Sequence, residues 1–343
     1  MTKSNAQEPE AESGTSPLVA RVFAALADGE FHSGEQLAER LGVSRSAVWK
    51  AVESLRELGA TLHAVRNRGY RLRSGSDALD ANRITNLVAA NLRAHVRNVE
   101  TAWTVDSTNS ALLARQNCPF GACDVLLAEY QTAGRGRRGR AWLAPPGGSI
   151  CLSLCWAFRE VPQDLGALGL VIGVCAQRAL RESGLEDVRL KWPNDIVVDA
   201  NKLGGILIEL RAESAGPASV VIGIGLNVAL GARVLEAIGE AGGSAVDLVT
   251  AGLKQPSRNA VAAALITQMV RGLLVFEKEG LQPFAEEWRA ADALRGRQID
   301  VHTLEGVARG LARGIDLHGA LVVETPQGVR RFVSGDVTVR AVQ

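Results

Sequence analysis

The 343-residue chain carries 38 Lys and Arg against 37 Asp and Glu, a formal net charge of +1, so any affinity for nucleic acid must come from a local patch and not a global field. At roughly 150 residues per domain, the length predicts two or three domains. Five cysteines, Cys118, Cys123, Cys151, Cys155 and Cys175, are an odd number confined to mid-chain, which excludes a disulfide framework; with no zinc-ligand spacing, Cys151 and Cys155 read as small buried apolar residues.

Residues 1–16, with Glu8, Pro9, Glu10 and Glu12, lack the basic start and apolar run of a signal peptide and read as a disordered polar tail. The expected compartment is the cytoplasm. From Pro17 to Arg73 the pattern is helical. Leu18, Val22, Ala25 and Leu26 make one apolar stripe, closed by Asp28-Gly29; Ser33 caps a second helix to Leu41; Gly42 breaks the chain and Ser44 caps a third, with Val48, Val52, Leu55 and Leu58 buried until Gly59. His63 to Leu72 alternates around Asn67-Arg68-Gly69, a short hairpin. Together these predict a winged helix-turn-helix. Between Leu41 and Arg73 seven basic residues face only Glu53 and Glu57. Such a face supplies phosphate contacts, and base reading falls to Ser44, Arg45, Ser46, Trp49 and Lys50 at the start of the third helix, with Arg66 and Arg68 on the wing.

After polar residues 74–77, the region 80–288 mixes periods. Strands are expected at Val125–Tyr130, Ser149–Trp156, Val188–Lys191, Ile196–Val198, Gly205–Leu210 and Ser219–Leu226, and longer helices near Thr108–Gln116, Leu165–Ser183 and Arg258–Lys278. Short turns between strands predict a mixed sheet backed by helices on one side. The apolar stretch from Leu165 to Ala176 is well short of the ~20 residues that span a bilayer, so no membrane span is expected. From Ala293 onward, Gln298–His302, Gly306–Asp316, Leu321–Thr325, Gly328–Val333 and Val337–Arg340 predict a small barrel or sandwich.

Four constellations carry chemistry. Asp106-Ser107-Thr108-Asn109 precedes a helix, where hydroxyls and amide N–H groups can hold a carboxylate or a ureido-like group, or simply cap the helix. Gly134-Arg-Gly-Arg-Arg-Gly-Arg140 concentrates Arg135, Arg137, Arg138 and Arg140 on a backbone that glycine leaves free to wrap an anion. Trp142 follows, to stack on a purine or to fill the core. Lys191-Trp192-Pro193-Asn194-Asp195, with Lys202 nearby, places two lysines around a carboxylate that can approach a metal at an α-phosphate. Gly223-Ile-Gly-Leu-Asn227 ends an apolar strand, and Asn227 can read an adenine edge.

In order and spacing these motifs, with Glu129 to Gly134 and Lys202 to Leu207, resemble the bifunctional biotin protein ligases and biotin operon repressors over nearly everything from Pro17 to Arg340. The resemblance implies an α+β multidomain chain: a winged helix-turn-helix over 17–73, a catalytic domain like that of class II aminoacyl-tRNA synthetases over 80–288, and an SH3-like barrel over 293–343. It implies that biotin and ATP form biotinyl-5′-AMP, and that the biotin passes to a lysine of the biotin carboxyl carrier domain of acetyl-CoA carboxylase. By that likeness Ser107, Thr108, Asn109, Gln131, Gly134, Arg135, Gly204, Gly205, Gly223 and Gly225 bind biotin. Arg137 and Lys202 touch both substrates, and with them Arg138, Arg140, Trp142, Asn227 and Arg340 bind the nucleotide; Arg137, Lys191, Asp195 and Lys202 catalyse, with Asp195 near Mg2+ or the incoming lysine. Partners would be the carrier domain, operator DNA and, with adenylate bound, a second copy of the chain. A lipoate-type ligase and a biotin sensor without transfer activity are the alternatives.

Overall fold

The computed structural model describes residues 16–73, 77–115, 118, 120–162, 164–211, 218–304 and 306–339. The expected tail therefore lies outside the described residues up to 15, as do Gln116 and Arg340. Serine hydroxyls start each N-terminal helix: Ser16 caps α1 (Pro17–Leu26), Ser33 caps α2 (Gly34–Leu41) and Ser44 caps α3 (Arg45–Glu57). Each accepts the N–H three residues on, satisfying a donor that the helix itself cannot. Gly42, at φ +67°, turns the chain between α2 and α3. Val22, Phe23, Leu26, Leu37, Val48, Val52 and Leu55 are buried where the helices meet. Strands β1 (Leu62–Val65) and β2 (Gly69–Leu72) form the antiparallel wing. His32 exchanges both backbone bonds with Tyr70. Any Cβ on Gly69 would run into the His32 carbonyl, so only glycine permits this third rung.

The central region runs α4 (Ala81–Leu87), β3 (Val96–Val105), α5 (Thr108–Leu113), β4 (Cys123–Gln131), β5 (Ser149–Phe158), α6 (Leu168–Glu182), β6 (Arg189–Lys191), β7 (Asp195–Val198), β8 (Asn201–Arg211), β9 (Ala218–Asn227), α7 (Ala232–Glu240), α8 (Arg258–Glu279) and α9 (Ala285–Ala291). Its seven strands lie in the order β3-β4-β5-β9-β8-β7-β6. Only β3 and β4, joined through α5, are parallel. The expected mixed sheet is present, but its helices are not confined to one side. α6 and α8 cover the face carrying Val125, Leu127, Leu154, Ile222 and Ile224. The short α5 packs Leu112 on the other face, against Leu126, Cys155 and Val221. Period-2 alternation thus gives the sheet one fully apolar face and one only partly covered. α8 is long and apolar enough to cross a membrane, yet 72% of its apolar window is buried, as befits a core helix.

The C-terminal strands β10 (Gln298–Thr303), β11 (Gly306–Ile315), β12 (Leu321–Thr325), β13 (Gly328–Phe332) and β14 (Asp336–Val339) form a sheet in the order β13-β12-β11-β10-β14. The expected closed barrel is not found: no pairing joins β13 to β14 among the described residues. The sheet is nevertheless curled. Phe332 and Asp336 lie on opposite edge strands but only four residues apart, at most about 14 Å of chain, whereas a flat five-stranded sheet is about 19 Å wide. Ile299, Val301, Leu321, Val323 and Phe332 join the same core cluster as α6 and α8. The winged module keeps its own core and meets the central region along a seam where Gly59 approaches Pro145 and Val234, and Thr61 approaches Gly231. Phe23 packs on Trp103 with ring centroids 5.3 Å apart, and Arg73 bonds the Leu230 carbonyl and lies 3.8 Å from the buried Asp247.

Buried Arg258, at the start of α8, donates from Nε to the Ser149 carbonyl at 3.1 Å and from Nη1 to the Asp77 carbonyl at 2.7 Å. Its Nη1 also lies 2.7 Å from Glu129 Oε2, while Glu129 Oε1 accepts from Leu79 N. One cation therefore ties α8, β4, β5 and residues 77–79 together. Arg258→Met should destabilise the chain by about 3–5 kcal/mol by stranding a buried carboxylate, and adding Glu129→Gln should recover most of it. Urea unfolding midpoints check this; a single variant within about 1 kcal/mol of the unmodified chain contradicts it.

Candidate active site

The partly covered face of the sheet floors a cleft of about 1730 Å³, and small residues keep it open. In register, Gly205 on β8 sits beside Gly225 on β9, which sits beside Cys151 on β5; Gly223 sits beside Ser153. Side chains from elsewhere occupy the space so freed. A Cβ on Gly225 would overlap the Trp142 indole, and one on Gly223 the Asn109 amide. These two glycines therefore seat Trp142 and Asn109, which in turn face the cleft, and glycine's lack of a side chain is used for close approach, not for positive φ. Cys151 lies on the same floor, where burial pushes its thiol up to about 12 and keeps it protonated. That agrees with reading it as an apolar residue, not a metal ligand.

At one end of the cleft, Ser107 caps α5 and presents the helix N-terminus. Gln131 Oε1 accepts from Thr108 N at 2.8 Å and from Thr108 Oγ1 at 3.1 Å. Buried Ser153 lies 2.7 Å from Thr108 Oγ1 and 2.6 Å from Asn109 Oδ1. Asn109 Nδ2 donates to Glu209 Oε2 at 2.8 Å. The result is a rigid polar wall at the positive end of a helix.

The arginine loop bridges three elements. Arg135 Nη2 donates to Ser110 Oγ at 2.9 Å and to Glu209 Oε1 at 3.1 Å. Arg138 and Arg140 both reach Asp336 Oδ2 on β14, at 3.0 and 2.7 Å. Arg138 holds φ +56°, which turns the loop between them. Arg137 differs. It is half-buried, it makes no ion pair among the described residues, and its Nη1 donates to Asn194 Oδ1 at 3.4 Å. Burial, with the Arg138 and Arg140 charges, lowers its pKa, and the Asp336 and Asp195 charges oppose that.

Opposite the loop, β6, a tight turn and β7 carry Lys191 to Asp195, with a cis bond between Trp192 and Pro193. Lys202 Nζ is 2.6 Å from Asp195 Oδ1 and 5.7 Å from the Trp142 ring centroid. Lys191 forms no ion pair among the described residues; burial above all, helped by the Lys202 and Arg140 charges, lowers its pKa from the ordinary 10.5. Asn227 is buried, and its Nδ2 donates to the Lys202 and Val246 carbonyls at 3.3 and 3.1 Å, which leaves its oxygen as the acceptor.

The cleft gathers Ser107, Thr108, Asn109, Gln131, Arg135, Arg137, Arg140, Trp142, Lys191, Asp195, Lys202, Gly205, Gly223, Gly225 and Asn227. Gly134 and Gly204 are not on its lining. Gly134 pairs closely with Trp142, whose N donates to the Gly134 carbonyl at 2.9 Å; Gly204 faces Leu226 and Ile196 on the apolar side, one residue out of phase with Gly205. Arg138 points to Asp336. Ser153, Glu209 and Asp336 went unseen in the sequence. Glu209 and Asp336 lie about 70 and 200 residues from the arginines they neutralise, and nothing local marks them, whereas Ser153's inward phase in an otherwise apolar strand was a usable signal. No three His, Cys, Asp or Glu side chains converge as a metal site among the described residues. Asp195, already held by Lys202, could supply at most one ligand to Mg2+, which commonly takes only one or two carboxylates and leaves the rest to phosphates and water.

A second candidate surface lies on the winged module. Arg45, Ser46, Trp49 and Lys50 are exposed on one side of α3, and Arg66 and Arg68 are exposed on the wing. Trp49 is 55% exposed, unusual for a tryptophan without a partner. Ser44 spends its hydroxyl on the Ala47 N–H, so it is committed to capping.

Comparison with known proteins agrees with this layout. Residues 104–227 match the biotin/lipoate A/B protein ligase family, 21–71 a helix-turn-helix domain, and 295–340 the biotin protein ligase C-terminal domain. The bifunctional ligase/repressor BirA of Salmonella typhimurium is 39% identical over 329 residues, spanning 96% of this chain and 99% of its own. The biotin–[acetyl-CoA-carboxylase] ligase of Mycobacterium tuberculosis is 34% identical over 247 residues, 70% of this chain and 88% of that one. A solved structure of the Aquifex aeolicus biotin protein ligase, in complex with biotin and ATP, superposes with a TM-score of 0.61 at 28% identity, covering 72% of this chain and 100% of that one. With a relative so similar across nearly its whole length, the chain belongs to the biotin/lipoate A/B protein ligase family, among its bifunctional ligase/repressor members.

Proposed function

We propose that this chain joins biotin to ATP, transfers the biotin to a lysine of the biotin carboxyl carrier domain of acetyl-CoA carboxylase, and represses transcription through its winged module. The observation that carries the reading is the pair Arg137 and Lys191. They are partly buried cations that make no ion pair among the described residues, while Arg135, Arg140 and Lys202 in the same cleft, and Arg138 beside it, are each paired with a carboxylate. Such a pair calls for an anionic ligand.

In the first step a biotin carboxylate oxygen attacks the α-phosphorus of ATP, the bond to the bridging oxygen of the β-phosphate breaks, and pyrophosphate leaves. Two anions must meet, and Arg137, Lys191 and Lys202 offset their repulsion as charge builds on the phosphoryl oxygens. Mg2+, when bound, screens the triphosphate. Ser107, Thr108 and Gln131 hold the ureido group, with Asn109 and Ser153 stiffening that wall. Trp142 offers its indole to adenine, and the Asn227 amide oxygen accepts from the adenine amine. In the second step a carrier lysine attacks the acyl carbon and AMP departs; Asp195 orients the incoming amine. No enzyme nucleophile is required, since substrate groups supply both. β3 ends the seven-stranded sheet with no further strand paired to it among the described residues, and that edge is where two copies would join on operator DNA.

Incubation with ATP, Mg2+, carrier domain and either biotin or lipoate tests this directly. A mass gain of the carrier with biotin supports the reading, a gain with lipoate alone replaces it with the lipoate alternative, and no gain leaves a sensor. Arg137→Ser should keep the fold and release the adenylate roughly 10- to 100-fold faster, the loss of a charge-assisted bond, as measured by stopped-flow fluorescence. Adenylate affinity should be constant below the lowered pKa of Lys191 and fall as pH rises through it, because the bound anion favours the protonated amine. Lys191→Met should flatten that profile in calorimetric titrations; an unchanged profile contradicts the assignment. Deleting residues 1–73 should abolish DNA gel shifts while sparing biotin transfer.

A further inference from the structure

We infer that Phe31, which is not among the residues expected to meet DNA, is a positioning residue for the DNA contact of the wing; the inference rests on the DNA-binding reading above. Phe31 lies in the α1–α2 connection, next to His32, whose paired bonds with Tyr70 lock that connection in register with β2. Its ring centroid is 4.3 Å from Arg68 Cζ and 4.6 Å from Arg71 Cζ. Two like charges on one ring need a reason, since each would gain more from a carboxylate nearby. Carboxylates are at hand: Glu30, Glu35 and Glu39 line the groove that Phe31, Asn67 and Arg68 also line. Neither arginine makes an ion pair among the described residues, and Arg71 Nε is buried with no hydrogen-bond partner.

An aromatic face holds a guanidinium without consuming its in-plane N–H donors, so stacked arginines stay available to phosphate oxygens. Ion pairing with Glu30, Glu35 or Glu39 would cancel that charge. The ring therefore keeps two flexible side chains ordered on the wing and, although Arg68 borders the acidic groove, out of ion pairs with its glutamates among the described residues, which lowers the ordering cost when DNA arrives. Arg71 thereby joins Arg66 and Arg68 in the DNA-facing set.

The test uses the full chain with biotin, ATP and Mg2+, and follows fluorescence anisotropy of a labelled random-sequence duplex across a salt titration. Phe31→Leu should weaken binding about tenfold and lower the slope of log affinity against log salt by between one and two, the signature of lost phosphate contacts. Phe31→Tyr should retain wild-type affinity and slope, and Phe31→Leu should leave biotin transfer unchanged. In a background already carrying Arg68→Met and Arg71→Met, adding Phe31→Leu should change nothing further. An equal loss in that background, or no loss in the chain with both arginines, overturns the inference. If the unmodified chain does not bind the duplex at all, the DNA-binding reading falls and takes this one with it.

Discussion

A cation held in a partly dry cleft without a paired carboxylate is poorly solvated until an anion joins it, and Arg137 and Lys191 are two such cations lining the same cleft. Their lowered pKa values have the same leading cause, loss of hydration. Around them the protein has spent its own carboxylates elsewhere: Glu209 on Arg135, Asp336 on Arg138 and Arg140, Asp195 on Lys202. The basic loop is therefore not a diffuse patch. Three of its guanidinium groups fasten it to β8 and β14, and the fourth is left for the ligand.

That arrangement depends on the alternation of the central strands. In β5, Leu152 and Leu154 face α6 and α8 while Cys151 faces the cleft and Ser153 backs the Thr108–Asn109 wall; in β9, Ile222 and Ile224 face the helices while Gly223 and Gly225 face the cleft. A one-residue slip of either strand would bury glycine in the core and push isoleucine into the site. The stability of one face and the emptiness of the other are written in the same residues. The C-terminal sheet, sharing the core and supplying Asp336, completes the wall and acts as part of the catalytic body.

Much of this was legible in the sequence because the signals were local. Serine caps, Gly42 and the 3.6-residue stripes marked α1 to α3, and the apolar runs marked β4, β5 and β9 almost to their ends, while β8 was expected only from Gly205, four residues after its start at Asn201. The motifs were legible because glycine and arginine are costly to cluster without a use. What escaped was either exposed or long-range. β3 buries only Val99 along its ten residues, so its edge position erased the alternation that reveals a strand. α7 has no fully buried residue; its short stripe of Val234, Leu235 and Ile238 is only half-buried, and that signal was passed over. α5 packs opposite the other helices for reasons of topology that spacing does not encode. The spacing of the C-terminal strands left barrel or sandwich open and the resemblance pointed to a barrel, yet closure depends on pairing between edge strands, which no local pattern specifies.

The most direct measurement is an experimental structure of the chain with a non-hydrolysable biotinyl-adenylate. The account predicts the Arg137 guanidinium and the Lys191 ammonium each about 3 Å from an acyl or phosphoryl oxygen, with the indole of Trp142 against adenine and the Asp336 contacts to Arg138 and Arg140 retained. A ligand seated with Arg137 still turned to Asn194, and with Lys191 remote from every oxygen of the anhydride, would contradict it.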